Sequence, residues 1–182
     1  MKIVVFNEKG GSGKTTVAVT LALALGIDLI DLDSQKSATF WLGDDPRSVT
    51  PGGWIADCPP GLEAVSADVI ELLGKADLVL IPVKPSFTDL RSLPQTIRFL
   101  RIHAKGSKIA FVGSTVDKRS TDAETLREAL AGYGYPIAGM LSQRASYRRA
   151  GLVSAQAGDS DATAAAEAQT LIQFIAGVPN GN

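Results

Sequence analysis

Residues 9–16 read K-G-G-S-G-K-T-T. An apolar run, K-I-V-V-F-N at 2–7, precedes them, and a helix-like stretch at 15–25 follows. A strand, a glycine-rich turn and a helix in that order are the context of a phosphate-binding loop. Gly10, Gly11 and Gly13, with Ser12 among them, let successive backbone N–H groups curl toward phosphate oxygens. The helix start at Lys14, Thr15 and Thr16 adds the partial positive charge of its free N–H groups. The Lys14 ammonium can reach β- and γ-phosphates, and the Thr15 hydroxyl can ligate Mg2+. A glycine-rich turn with a chance lysine is the competing reading, and the flanking strand and helix weigh against it.

Around this loop the chain alternates. Apolar runs at 2–7, 27–32, 54–56, 78–83, 108–112 and 137–140 predict strands. Their continuity implies burial on both faces, as a parallel sheet requires. Stretches at 15–25, 62–73, 87–104, 121–131 and 162–176 predict helices, and Thr121 with Glu124 has the spacing of a capping box. Such alternation implies an α/β fold, a twisted, mostly parallel sheet with helices on both faces. At 182 residues the expectation is a single domain over 1–182. A loop is expected at 43–53 and a fraying tail at 177–182.

Composition removes several classes. One cysteine, Cys58, excludes an intramolecular disulfide framework and any Cys-cluster metal site within one chain. A lone His103 argues against a multi-histidine metal centre. The longest apolar stretch, 17–25, is far short of the roughly 20 residues a membrane helix needs. A cytoplasmic protein without membrane attachment is expected. Hydrophobic residues make up 45% and charged residues 20%, which is ordinary for a globular chain.

The loop departs from the common G-x-x-x-x-G-K-[ST] pattern, because Glu8 stands at the first glycine and Lys9 is additional. Three further segments follow in chain order: I-D-L-D-S-Q-K-S-A-T at 30–39, I-A-D-C-P-P-G at 55–61 and L-V-L-I-P-V-K-P-S-F-T-D at 78–89. With Q-R-A-S-Y-R-R-A at 143–150, these residues resemble the ParA/MinD family of deviant-Walker ATPases, closest to small partition ATPases of plasmids and chromosomes. The resemblance spans about residues 2–150. It implies a P-loop NTPase fold, ATP and Mg2+ as ligands, and ATP hydrolysis. By that resemblance Asp57 holds Mg2+, Gly61 offers an N–H to the γ-phosphate, Pro82 lies near the nucleotide and Asp33 orients the attacking water. Asp31 is the weaker candidate for that role; a strand-end carboxylate is as good a reading. Lys9 is expected to cross a dimer interface to the partner's nucleotide, so ATP would hold a homodimer together. Ser34 stands where the family usually has proline, and Ser114 where many relatives carry an asparagine near the adenine.

Charge is unevenly spread. Residues 1–89 carry 7 basic and 12 acidic side chains, residues 90–158 carry 11 and 4, and residues 159–182 carry none and 3. Two stretches, 90–116 and 129–158, contain no Asp or Glu. Arg98, Arg101 and Lys105 step by three and four and share a helix face. Arg144, Arg148 and Arg149 fall in the second stretch. Charged helix faces are usually only solvated. In a resembled family that binds DNA without sequence preference, these six residues become candidate phosphate contacts. The expectation is a nucleoid-associated, DNA-partitioning ATPase whose hydrolysis a ParB-like adaptor stimulates. A related positioning ATPase for a protein cargo, a MinD-like regulator and a metabolic P-loop kinase are the alternatives. MinD-like proteins end in a basic amphipathic helix, whereas 162–176 is Ala-rich and no Lys or Arg follows Arg149. That helix is expected to pack on the domain, away from membranes. Because the chain opens directly on the loop's strand, no N-terminal helix-turn-helix is expected.

Overall fold

The computed structural model describes residues 1–42, 53–63, 65–148 and 161–179. Its strands are β1 (Lys2–Val5), β2 (Asp28–Asp31), β3 (Trp54–Asp57), β4 (Leu78–Val83), β5 (Lys108–Val116) and β6 (Ile137–Ser142). Its helices are α1 (Lys14–Leu25), α2 (Ser37–Leu42), α3 (Ala67–Lys75), α4 (Phe87–His103), α5 (Asp122–Ala131), α6 (Ala145–Arg148) and α7 (Ala162–Ala176). The six strands form one sheet in the order β2-β3-β1-β4-β5-β6, and every pairing is parallel.

Alternation along the central strands builds two cores. Ile3, Val5, Leu78 and Leu80 face one side, where Val17 and Leu21 of α1 and Leu171 and Ile175 of α7 cover them. Val4, Phe6, Val79 and Ile81 face the other, under Val69 and Leu73 of α3, Leu93 and Leu100 of α4 and Leu126 of α5. Each fully buried Leu, Ile or Phe contributes about 1.5–3 kcal/mol by leaving water. Strand β4 is buried at all six positions, whereas β2 at the sheet edge is not. Helix α7 packs on the domain, as the Ala-rich composition implied.

Several boundaries differ from the sequence expectation. Helix α3 begins at Ala67, where the Ser66 hydroxyl accepts the Val69 N–H at 3.4 Å. Leu62 is apolar because it packs on the core from the preceding loop. The Thr121 capping box does not form. Thr121 has ψ of 9°, and its carbonyl, not its hydroxyl, accepts the Glu124 N–H at 3.1 Å. Helices α2 and α6 are additions to the elements expected from periodicity. The expected loop at 43–53 falls, except for Gly53, outside the described residues, as does the tail at 180–182.

The chain runs from β1 out to the edge, returns through β3, and crosses β1 to reach β4. Strand order therefore reverses around β1, and open parallel sheets bind ligands at the carboxyl ends of strands beside such a reversal. Register completes the placement. Val5 lies opposite Asp57, and Asp57 opposite Asp31, so three strands end level.

Candidate nucleotide site

The loop leaving β1 is held by its own backbone and by one buried amide. The Asn7 side chain donates to the Pro82 carbonyl at 2.7 Å and accepts the Lys9 N–H at 3.0 Å. Pro82, expected near the nucleotide, thus meets the loop through its carbonyl. Gly11 and Gly13 adopt φ of 71° and 103°, which L side chains rarely tolerate. Gly13 is required twice over, since a Cβ there would sit 2.2 Å from the Ser114 hydroxyl. Gly10 passes Pro60 with room to spare. Ser12 is buried, and its hydroxyl has no partner among the described residues.

Lys14 opens α1 and is only 6% exposed. Its ammonium donates to the Lys9 carbonyl at 3.2 Å. Burial pushes its pKa down, against the pull of Asp57, Cys58 and Asp33. Lys9 itself makes no side-chain hydrogen bond or ion pair among the described residues.

Asp57 ends β3 and is fully buried; among the described residues neither carboxylate oxygen has a partner in good hydrogen-bond geometry, and the Thr15 hydroxyl beside it is the one group near enough to stabilise it as a donor. Burial raises its pKa to about 7; Asp31 and Asp33 add to the rise, while the Thr15 hydroxyl and the Lys14 ammonium oppose it. A buried carboxylate with only the Thr15 hydroxyl and a nearby ammonium to offset its burial is costly and wants a cation. Its surroundings supply hard oxygen donors, the Thr15 hydroxyl above all, which suit Mg2+. The residues therefore fit that ion. A cleft of about 310 Å3 lies here between Thr15, Thr16, Asp33, Ser37 and Pro60. Ser37 and Pro60 fall inside the 30–39 and 55–61 segments but are not singled out there as site residues. Cys58 beside Asp57 is a buried free thiol whose pKa is pushed up to about 12 by burial first of all.

The two strand-end acids divide their work. Asp31 clamps the following turn. One oxygen accepts the Asp33 N–H at 3.1 Å, and the other accepts the Thr39 N–H and hydroxyl at 2.9 and 3.0 Å. It thereby satisfies a free N–H in the first turn of α2. Asp33 is half-buried in the cleft wall and accepts the Gln35 N–H at 3.0 Å. The Gly61 N–H, expected to face a phosphate, donates to the Glu8 carbonyl at 2.7 Å.

A second cleft of about 270 Å3 adjoins Gly11, Gly13 and Thr16 and extends past Ser114 and Thr115 to Gln143, Arg144 and Tyr147. Its outer wall depends on Glu167 of α7, which is 7% exposed. Glu167 accepts the Ser142 N–H at 3.0 Å and the Tyr147 hydroxyl at 2.8 Å, and pairs with Lys118 at 2.6 Å. Burial raises its pKa, but the Lys118 pairing and these hydrogen bonds prevail and lower it. The signal in the sequence was a single acid in an otherwise uncharged helix.

The basic candidates separate. Arg98 and Lys105 are exposed on α4 and the turn after it. Arg101 is exposed too, with its guanidinium donating to the Tyr135 hydroxyl at 3.2 Å. Arg144 does not join an exposed basic face. It pairs with Asp161, the N-cap of α7, which also accepts from Ser146. Arg149 and the Arg148 side chain lie outside the described residues. His103 packs against Phe99 with ring centroids 4.4 Å apart and the ring planes tilted by 39°.

An all-parallel sheet with a glycine loop, a buried lysine and an unpaired aspartate at its reversal point defines an α/β protein of the phosphate-loop class. Residues 3–154 match the CobQ/CobB/MinD/ParA nucleotide binding domain model, and the chain belongs to that family. The Maintenance of carboxysome distribution protein A of Gloeobacter kilaueensis is 33% identical over 159 residues, covering 74% of this chain and 72% of that one. An ATP complex of Cyanothece McdA superposes with a TM-score of 0.71 at 16% identity, over 99% of this chain and 97% of that one. The cell division ATPase MinD of Pyrococcus furiosus superposes with 0.73 at 19%, over 98% and 99%.

Proposed function

We propose that this protein is a positioning ATPase that binds ATP with Mg2+, dimerises on it and hydrolyses it to ADP and phosphate. The observation that carries the reading is the buried, unpartnered Asp57 carboxylate beside Thr15 and Lys14, behind a loop that presents an unengaged Lys9. In this reading the loop amides and Lys14 neutralise the β- and γ-phosphate oxygens. Mg2+, when bound, draws charge from those oxygens, and Asp57 and Thr15 are its holders. Asp33 orients the water. Gly61 turns its N–H to the γ-phosphate by leaving the Glu8 carbonyl. Lys9 reaches the nucleotide of a second copy, which makes ATP, and not ADP, the ligand that joins two chains.

The exposed Arg98, Arg101 and Lys105 then form a face for DNA phosphates that dimerisation doubles. Ser114, Thr115 and Gln143 wall the cleft that would take the base. The cargo is a DNA partition complex bound through a ParB-like adaptor. A protein assembly as cargo is the second reading, which the carboxysome-distribution name of the Gloeobacter relative favours.

Light scattering with ATP and with ADP, followed by retention on DNA at two salt concentrations, tests this. Dimers with ATP alone, and salt-sensitive retention only in that state, are expected. Equal mass with either nucleotide rejects the Lys9 role. ATP-dependent dimers that ignore DNA move the reading to a protein-borne track.

A further inference from the structure

The entrance to the phosphate loop is tied to the middle of α4 by two buried polar side chains. Asn7 and Thr96 are both fully buried, 89 residues apart in the chain. The Thr96 hydroxyl donates to the Asn7 side-chain oxygen at 3.2 Å and accepts the Glu8 N–H at 3.4 Å. That same Asn7 oxygen accepts the Lys9 N–H at 3.0 Å, while the amide nitrogen is fixed on the Pro82 carbonyl at 2.7 Å. A hydroxyl has one proton and two lone pairs, and an amide oxygen has two lone pairs. Thr96 gives its proton to Asn7 and still accepts from Glu8; Asn7 accepts from both Thr96 and Lys9. The Glu8 and Lys9 carbonyls are taken by the Gly61 N–H and the Lys14 ammonium. When Gly61 and Lys14 turn to the phosphates those carbonyls are released, but the Glu8 and Lys9 N–H groups stay assigned to Thr96 and Asn7, and these two bonds set the direction in which Lys9 leaves the backbone.

We propose that Thr96 is a positioning residue for Lys9. It holds the Asn7 oxygen and the Glu8 N–H so that the Lys9 side chain projects from the loop in one direction. The inference rests on the reading above that Lys9 acts on a partner's nucleotide. A valine at position 96 fills the same volume but strands the Glu8 N–H and removes one of the two donors that hold the Asn7 oxygen. Buried networks of this kind lose their geometry when one member is removed, and misplacing a group by about 1 Å can cost about 100-fold in rate.

The test compares Thr96→Val and Thr96→Ser with wild type by ATP-dependent dimerisation, steady-state ATP hydrolysis and melting temperature. The valine variant is expected to fold, to lose about tenfold or more in kcat and in dimerisation, and to change KM for ATP by less than about threefold. The serine variant restores both activities. Wild-type activity in a folded Thr96→Val overturns the proposal. So does equal impairment in both variants, because that is the mark of packing alone. Should the valine variant not fold, amide exchange on wild type decides: slow exchange at Glu8 and Lys9 supports the network, and fast exchange overturns it. A wild-type chain that neither hydrolyses ATP nor dimerises with it rejects the functional reading and this role together. An active wild type with an indifferent Thr96→Val rejects this role only.

Discussion

Replacing Gly13 with alanine tests the loop most directly, because two separate costs can be worked out and then separated. The first is backbone strain. Gly13 sits at φ of 103°, where a non-glycine residue pays about 1–3 kcal/mol. The second is a collision. The new Cβ would lie 2.2 Å from the Ser114 Oγ and 3.1 Å from its Cβ. Rotating the hydroxyl relieves the shorter contact only where there is room, and Ser114 is 4% exposed. The longer contact survives any rotation. Forcing extra atoms into a packed site costs about 1–3 kcal/mol. Gly13→Ala is therefore expected to lose about 2–6 kcal/mol, a large part of the ~5–15 kcal/mol that typically holds a domain together. A double-mutant cycle apportions it. Ser114→Gly removes both colliding atoms, so the double variant keeps the strain and loses the collision. Urea denaturation of the four proteins should give a coupling of about 1–3 kcal/mol in favour of the pair. A Gly13→Ala variant within about 0.5 kcal/mol of wild type refutes the argument. Strictly additive single costs refute its steric half.

Other expectations rest on the same geometry. Asp57 titrates near 3.8 when unfolded and near 7 when buried, so its neutral form is the one that folding favours. Without nucleotide and in chelator, the stability that Asp57 contributes is fully present below pH ~4 and is lost at about 1.4 kcal/mol per pH unit as pH rises toward about 7, on the order of 4 kcal/mol in all. Asp57→Asn should flatten that part of the profile, and an unchanged slope would show the carboxyl to be satisfied already. Glu167→Ala strands the buried Ser142 N–H and unpairs Lys118, at a cost of about 2–4 kcal/mol by urea denaturation. Glu167→Gln should recover much of it, and the hub role fails if the alanine costs nothing. Arg98→Ala with Lys105→Ala should reduce the salt slope of DNA binding by about two per chain and leave ATP hydrolysis alone. An unaltered slope returns that face to plain solvation.

How much of this was legible in the sequence depends on the distance over which each feature is specified. The loop from Lys9 to Thr16 is contiguous, so its glycines, lysine and threonines declared themselves in one window. Asp57 was legible because a strand run ends on it and Pro59, Pro60 and Gly61 follow. Burial on both faces of β4 was legible because six apolar residues in succession leave no polar face. Features set by a distant partner were not. The acid-free window that makes Arg144 a candidate phosphate contact ends at residue 158, so its ion pair with Asp161 does not show in it. Asn7 read as the polar end of a strand, since its partners Pro82 and Thr96 come from β4 and α4. The Thr121 capping box was present as letters and absent as a bond, because one ψ angle brought the carbonyl to the N–H first. Helix α2 is too short to show a period, and what anchors it is the Asp31 carboxylate eight residues before Thr39. Local motifs thus identify what a phosphate would meet. The groups that aim those motifs are specified elsewhere: Asn7 and Thr96 by pairing β1 beside β4, Glu167 by packing α7 on β6, and Asp31 by the turn that brings Thr39 back to it.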